Sequence, residues 1–273
     1  MTMWLMFLPG LTMSKRLKYL ISSILSAVGF FMFISLPYES RYYGLIVGML
    51  LVIFCFWFGL GIIFADSIYT RLMSILLPSA LFVGFGLFAA ILPSTFVGSL
   101  LMSIFFGILC YIIFLVENVF LVAIGYKTVP LYRAAYTVSL IILLLTAFFL
   151  FNTVFSFRWN FWLNGLVIFA VSSLLFLYQF WAIAIELPDD GKDKNRSAYV
   201  LAPGLILGQL GMVFSFWPVG IFRGSIYLVS MIYVISGLLQ GDIRGRLFKK
   251  TWLGFVWVGV AIFLAIVVMT KWR

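Results

Sequence analysis

Of the 273 residues, 65% are hydrophobic and 10% charged, with a formal net charge of +10. A soluble domain is roughly 45–50% apolar and about 25% charged, so this composition excludes a water-dissolved fold and makes lipid the solvent. Histidine is absent, which excludes Ser-His triads, histidine–metal sites and histidine proton relays together.

The chain opens on an apolar run, 3–11, that precedes Lys15, Arg16 and Lys18. A secretory signal has the opposite order, so 1–17 reads as an interfacial or cytoplasmic segment ahead of the first span. A membrane span needs about 20 apolar residues. The sequence supplies such stretches at 18–36, 43–64, 72–92, 96–116 with an extension to 125, 131–155, 161–187, 199–218, 219–239 and 252–272. The expected fold is all-α, a polytopic transmembrane helical bundle of about nine spans. The count falls to eight if the seventh and eighth, which meet near Pro218, are one broken unit. The longest strongly polar run, 188–197, is too short to build a core. The organisation is therefore one transmembrane domain over 1–273, with a polar loop at 188–198 taken as cytoplasmic.

Lysine and arginine set the expected orientation. Thirteen of them, including Lys15, Arg71, Lys127, Arg133, Lys192, Arg196 and Arg244, fall on the side of the amino terminus, against five on the other. That asymmetry places the amino terminus in the cytoplasm and the basic ends against anionic lipid headgroups. Trp159, Trp162, Trp217 and Trp272 fall near the opposite interface, where an amphipathic indole is stable. The positive charge lies at helix ends without a basic stripe carrying interleaved aromatics, so a nucleic-acid partner is not expected.

Small residues predict close helix approach. Gly204, Gly208 and Gly211 share one face of the seventh span, as Gly44 and Gly48 do in the second. Cys55 and Cys110 each sit inside an apolar stretch, as buried small hydrophobes do.

Few polar groups fall at membrane depth, where each is costly enough to be a candidate site. Glu117-Asn118 interrupts the apolar run of the fourth span. Arg133, just inside the fifth, has the reach to pair with Glu117, as a lining charge of a path or as a neutralised pair fixing two helices. Gln179 and Gln209 are neutral amides within spans, suited to bonds between helices. Arg223 reads as snorkelling to the outer interface. In the sixth-to-seventh joint, Glu186 and Asp190 are four apart, and Asp189, Asp190 and Asp193 form a carboxylate run of the kind magnesium takes. The same run beside Lys192, Lys194 and Arg196 also reads as a solvated joint, and Pro188 opposes an unbroken helix there.

Two resemblances follow from these residues. The plan of nine helices, with Glu186 to Ser197 after the sixth and Asp66 after the second, resembles the membrane prenyltransferases of the UbiA superfamily. Tyr126-Lys127 followed by Pro130 also falls where that family often carries a basic residue and a proline. The resemblance implies a magnesium-bound isoprenyl diphosphate held between Asp66 on one side and Glu186 and Asp190 on the other. The chain departs from the pattern at the first motif, where Ala65-Asp66 is followed by Thr70 rather than a second acid, and its second-to-third loop is short. Separately, the stretch from Glu117 through Thr128-Val-Pro-Leu-Tyr-Arg133-Ala-Ala is similar to uncharacterised multi-pass bacterial membrane proteins.

The leading expectation is a non-enzymatic subunit or permeation path of the bacterial cytoplasmic membrane for small or lipidic cargo, with Glu117, Asn118, Arg133, Gln179 and Gln209 as its path residues and no cofactor. The alternatives are a divergent prenyltransferase-like enzyme using magnesium, and a structural or assembly protein.

Overall fold

The computed structural model describes residues 14–61, 67–93, 95–125, 130–186, 196–245 and 248–270. Among them run nine α-helices: α1 Lys15–Ser35, α2 Arg41–Leu60, α3 Ile68–Ile91, α4 Phe96–Gly125, α5 Tyr132–Ser156, α6 Phe161–Ala184, α7 Arg196–Phe216, α8 Ile221–Ile243 and α9 Lys249–Met269. A single turn of 3-10 helix, Tyr38–Ser40, leads into α2. The all-α helical bundle expected from the sequence is the fold observed, and eight of its helices are long and apolar enough to cross a membrane.

Local chemistry sets the helix limits. Ser14 caps α1, its hydroxyl oxygen accepting from the Leu17 N–H at 3.4 Å, which starts the helix at Lys15 rather than Lys18. At the other end of α1, Arg41 acts as a clamp. Its guanidinium donates to the carbonyls of Leu36 (3.0 Å) and Ile34 (3.4 Å) and, across to α3, to that of Ala90 (3.2 Å). Helix ends leave such carbonyls without intrahelical donors, so one arginine ties α1, α2 and α3 together. The seventh and eighth spans are two helices, α7 and α8. A tight turn separates them, with the Val219 N–H donating to Trp217 O at 2.8 Å and Gly220 at φ 82, a conformation open to glycine and strained for other residues.

Two kinds of packing hold the bundle. Between α1, α2, α3 and α4 the space is filled by rings. Phe56 stacks on Phe114 with centroids 3.9 Å apart, and Tyr19 is also stacked with Phe114 at 5.6 Å. Phe30 stacks on Phe106 at 4.5 Å and on Phe85 at 5.1 Å. Phe30, Phe56, Phe82, Phe106 and Phe114 have no exposed surface at all. Between α6 and α7, glycines bring backbones together instead. A Cβ on Gly208 would stand 2.9 Å from the Phe169 Cβ and 3.0 Å from the Gly165 carbonyl oxygen, while Gly204 and Gly211 lie against Ser173 and Ile168. Of the second pair, Gly48 seats the ring of Phe82 and Gly44 lies against Leu36. In lipid, where helices gain nothing from the hydrophobic effect on meeting, such close approach supplies dispersion contacts.

Cross-helix contacts show how the ends align. Tyr19 at the start of α1 meets Asn118 near the end of α4. Arg196 at the start of α7 lies over the Tyr69 ring at the start of α3, at 4.2 Å. Glu186 after α6 meets Arg244 after α8. One end of the bundle, here called the basic end, therefore gathers the starts of α1, α3, α5 and α7 and the ends of α4, α6 and α8. At the opposite end the Trp217 indole N–H donates to the Thr270 hydroxyl at 2.9 Å, joining the ends of α7 and α9, and Trp159 and Trp162 are exposed.

Candidate functional site

The fourth span continues through Glu117 to Gly125 as one helix of 30 residues, roughly 45 Å long at about 1.5 Å per residue. Hydrocarbon is about 30 Å thick, so α4 overshoots it, and Glu117 lies about 12 Å along the axis from the helix end. The side chain is fully buried. Its Oε1 accepts from the Tyr178 hydroxyl of α6 at 2.7 Å. Ser74 of α3, also fully buried, stands beside the same carboxyl. No well-formed hydrogen bond closes that side, and Glu117 Oε2 and Ser74 Oγ both lack a partner. Buried polar atoms are rarely left so, and each costs about 1–3 kcal/mol of desolvation, which the Ser74 hydroxyl beside the carboxyl offsets in part.

The geometry corrects one expectation. Arg133 does not pair with Glu117. Arg133 is exposed, and its carbonyl accepts from the Thr137 hydroxyl one turn on. Its neighbours Tyr132 and Tyr136, four apart on α5, face inward in its place. One residue of helix turns a side chain by about 100°, so the inward face taken by Tyr132 and Tyr136 leaves Arg133 outside.

From Glu117 the polar groups continue toward the basic end. Ser139 of α5 adjoins the Tyr178 hydroxyl. The Gln179 side chain of α6 donates to the Tyr136 hydroxyl at 3.0 Å and accepts from the Ser236 hydroxyl of α8 at 2.9 Å. Tyr132 donates to the Ala182 carbonyl. Beyond them Arg244 Nη2 lies 2.9 Å from Glu186 Oε2, and the guanidinium sits 5.5 Å from the centre of the Tyr136 ring. The angle of that ion pair leaves Nη2 and Nε without a well-aligned acceptor. The cluster thus joins α3, α4, α5, α6 and α8 through Ser74, Glu117, Tyr136, Tyr178, Gln179 and Ser236, and ends on a partly exposed ion pair.

Other expected site residues lie apart from it. Asn118 accepts from the Tyr19 hydroxyl at 2.9 Å and fastens α4 to α1. Gln209 is exposed on α7. Asp66, Asp189 and Asp190 lie outside the described residues, as do Lys127 and the loop 188–195. Glu186 is the described member of the expected magnesium set, and it faces a guanidinium, which opposes a second cation there. Among the described residues no three acidic or cysteine side chains gather where a metal ion would sit. Cys55 and Cys110 are buried free thiols.

Sequence reasoning missed Tyr132, Tyr136, Tyr178, Ser236 and the inward role of Arg244. The available signal was three tyrosines placed within apolar spans, since a buried phenol needs a partner for its hydroxyl.

Apolar helices of spanning length, with few buried polar groups between them, define a multi-pass α-helical membrane protein. Residues 15–269 match the model of a family described as a protein of unknown function, DUF5656, and the chain belongs to that family. No curated protein and no solved structure matches it.

Proposed function

We propose that the protein is a non-enzymatic subunit of the cytoplasmic membrane, with its amino terminus inside, and that the Glu117 cluster is the binding point of a permeation path for a proton or small cation. The observation that carries this reading is the open side of the Glu117 carboxyl. Oε2 and Ser74 Oγ face one another's surroundings unpartnered in a fully buried position. A carboxyl retained purely to fasten helices gains most when both oxygens are bonded, whereas a transient cationic cargo needs acceptors that are free when it arrives. The hydroxyl and amide groups from Tyr178 to Ser236 supply further oxygen atoms toward the basic end, and the ion pair Glu186–Arg244 marks the mouth. The gathering of basic helix ends at one end of the bundle supports the orientation.

The test is flux. Purified protein in proteoliposomes is given a proton or monovalent-cation gradient, followed by dyes sensitive to each. Glu117→Gln keeps the shape and the Tyr178 contact, so it is expected to abolish flux while the protein stays folded. Flux unchanged in Glu117→Gln contradicts the reading.

A structural or assembly role is the second reading, supported by the ring-filled space between α1 and α4. It predicts no flux in the unaltered protein and loss of assembled complexes when that packing is disturbed.

A further inference from the structure

At the end of the bundle opposite the basic end, the close of α5 and α7 and the starts of α6 and α8 leave a pocket of about 260 Å³ between them. Phe155, Phe214 and Trp217 give it apolar walls, and Arg158, Asn164 and Ser215 bring polar groups to the same lining. Asn164 is almost wholly buried, at 3% exposure. Its amide nitrogen donates to the Trp159 carbonyl at 3.3 Å and to the Ser215 hydroxyl at 3.0 Å. A carbonyl can only accept, so the carboxamide cannot turn over to relieve its own oxygen. That oxygen, Oδ1, has no donor among the described residues, and a buried acceptor left so is rare. Arg158 is the second anomaly. It stands just past α5 at φ 50, the left-handed region that glycine usually takes at a helix end. A side chain held there is strained, and this guanidinium has no ion-pair or hydrogen-bond partner among the described residues.

We infer that this pocket binds a phosphate ester whose alcohol portion ends in a hydrogen-bond donor, an ammonium or a hydroxyl group. The Arg158 guanidinium suits the phosphate, since its planar fork meets two phosphate oxygens at once. Gly220 and Ile221 bring the start of α8 into the same lining, and no side chain caps that helix, so its end favours the anion as well. The ligand's donor answers Asn164 Oδ1. A choline ester leaves that oxygen unmet, because its quaternary nitrogen carries no hydrogen. The volume falls just below the roughly 300–1,000 Å³ of sites for drug-sized ligands, which suits a group as small as this. Arg158 follows the last residues of an apolar span, so the pocket opens at headgroup level, where phosphate esters are the abundant anions. The same ester is available as the headgroup of a phospholipid or free in solution. The site lies at the other end of the bundle from the Glu186–Arg244 mouth and does not depend on the role of Glu117.

In the first arm of the experiment the full chain, purified in detergent, meets equal amounts of phosphatidylethanolamine and phosphatidylcholine with identical acyl chains. Retained lipid is read by native mass spectrometry. The two headgroups carry the same charges and differ in the hydrogens on nitrogen. Phosphatidylethanolamine is expected in about tenfold excess, the weight of one hydrogen bond to a charged group. A second arm titrates the protein with free phosphoethanolamine and free phosphocholine by calorimetry. Preference in the lipid arm alone assigns a headgroup, and preference in the second arm assigns the soluble ester. Arg158→Gly removes the guanidinium and relieves the positive φ, so the preference should vanish while the melting temperature holds or rises. No preference in either arm, a preference that survives Arg158→Gly, a melting temperature that falls in that variant, or free alanine bound as tightly as phosphoethanolamine would each overturn the assignment.

Discussion

The ring-filled interior among α1, α2, α3 and α4 and the polar interior among α3, α4, α5, α6 and α8 are built on opposite principles. The first is filled by stacked rings, Phe56 on Phe114 and Phe30 on Phe106, which ask nothing of their surroundings beyond shape. The second carries hydroxyls, an amide and a carboxyl, each of which must find a partner or bear the cost of lacking one. Most of its groups are paired. The exceptions in the cluster are Glu117 Oε2 and Ser74 Oγ at its inner end and Arg244 Nε and Nη2 at its outer end. The rings are satisfied by shape, while the polar half leaves a buried carboxyl oxygen without a well-formed bond, where a function can act.

Substitutions in the two halves should differ in what they disturb, and the largest effect belongs to the rings. Phe114→Ala removes the ring stacked with Phe56 and with Tyr19 and should cost about 3–5 kcal/mol, seen as a steep fall in folded protein by size-exclusion profile and thermal melting in detergent. Next comes Tyr178→Phe. It deletes the donor to Glu117 Oε1 and should cost about 1–3 kcal/mol with the fold preserved. A loss as large as that of Phe114→Ala would erase the contrast between the halves. Gln179→Leu breaks two bonds, to Tyr136 and Ser236. Hydrogen bonds between membrane helices average only about 0.6 kcal/mol, so melting should shift by a few degrees at most. Arg133→Gln, at an exposed position, should leave stability within about 0.5 kcal/mol and leave flux unchanged. A flux defect there would restore the pairing expected from the sequence.

The helices were legible in the sequence because hydropathy reports solvent directly, and the continuation of α4 through Glu117 to Gly125 follows from the apolar residues on both sides of Glu117-Asn118. The glycine face of α7 was legible for the same reason, since small residues in lipid have few other uses, and it meets α6. Glu117 stood out by its rarity. Its partner did not, because the choice between Arg133 and Tyr178 depends on helical phase across a joint and on which helices are neighbours in space. Spacing along the chain fixes neither. Arg244 was legible as a basic helix end and illegible as a group over the Tyr136 ring, since a cation at an interface reads the same whether it faces lipid or the bundle. Tyr132, Tyr136 and Tyr178 passed as ordinary apolar residues, their rings matching the spans around them.

Whether the open side of Glu117 is a passage or a sealed imperfection is tested most directly by replacing Ser74 with cysteine in a chain whose Cys55 and Cys110 are alanine, then measuring modification of the folded protein in membranes by a small, positively charged thiol reagent. A passage for small cations predicts measurable modification of Ser74→Cys, slowed when cation is present in excess. No modification of the folded protein, with full modification after unfolding, would contradict it.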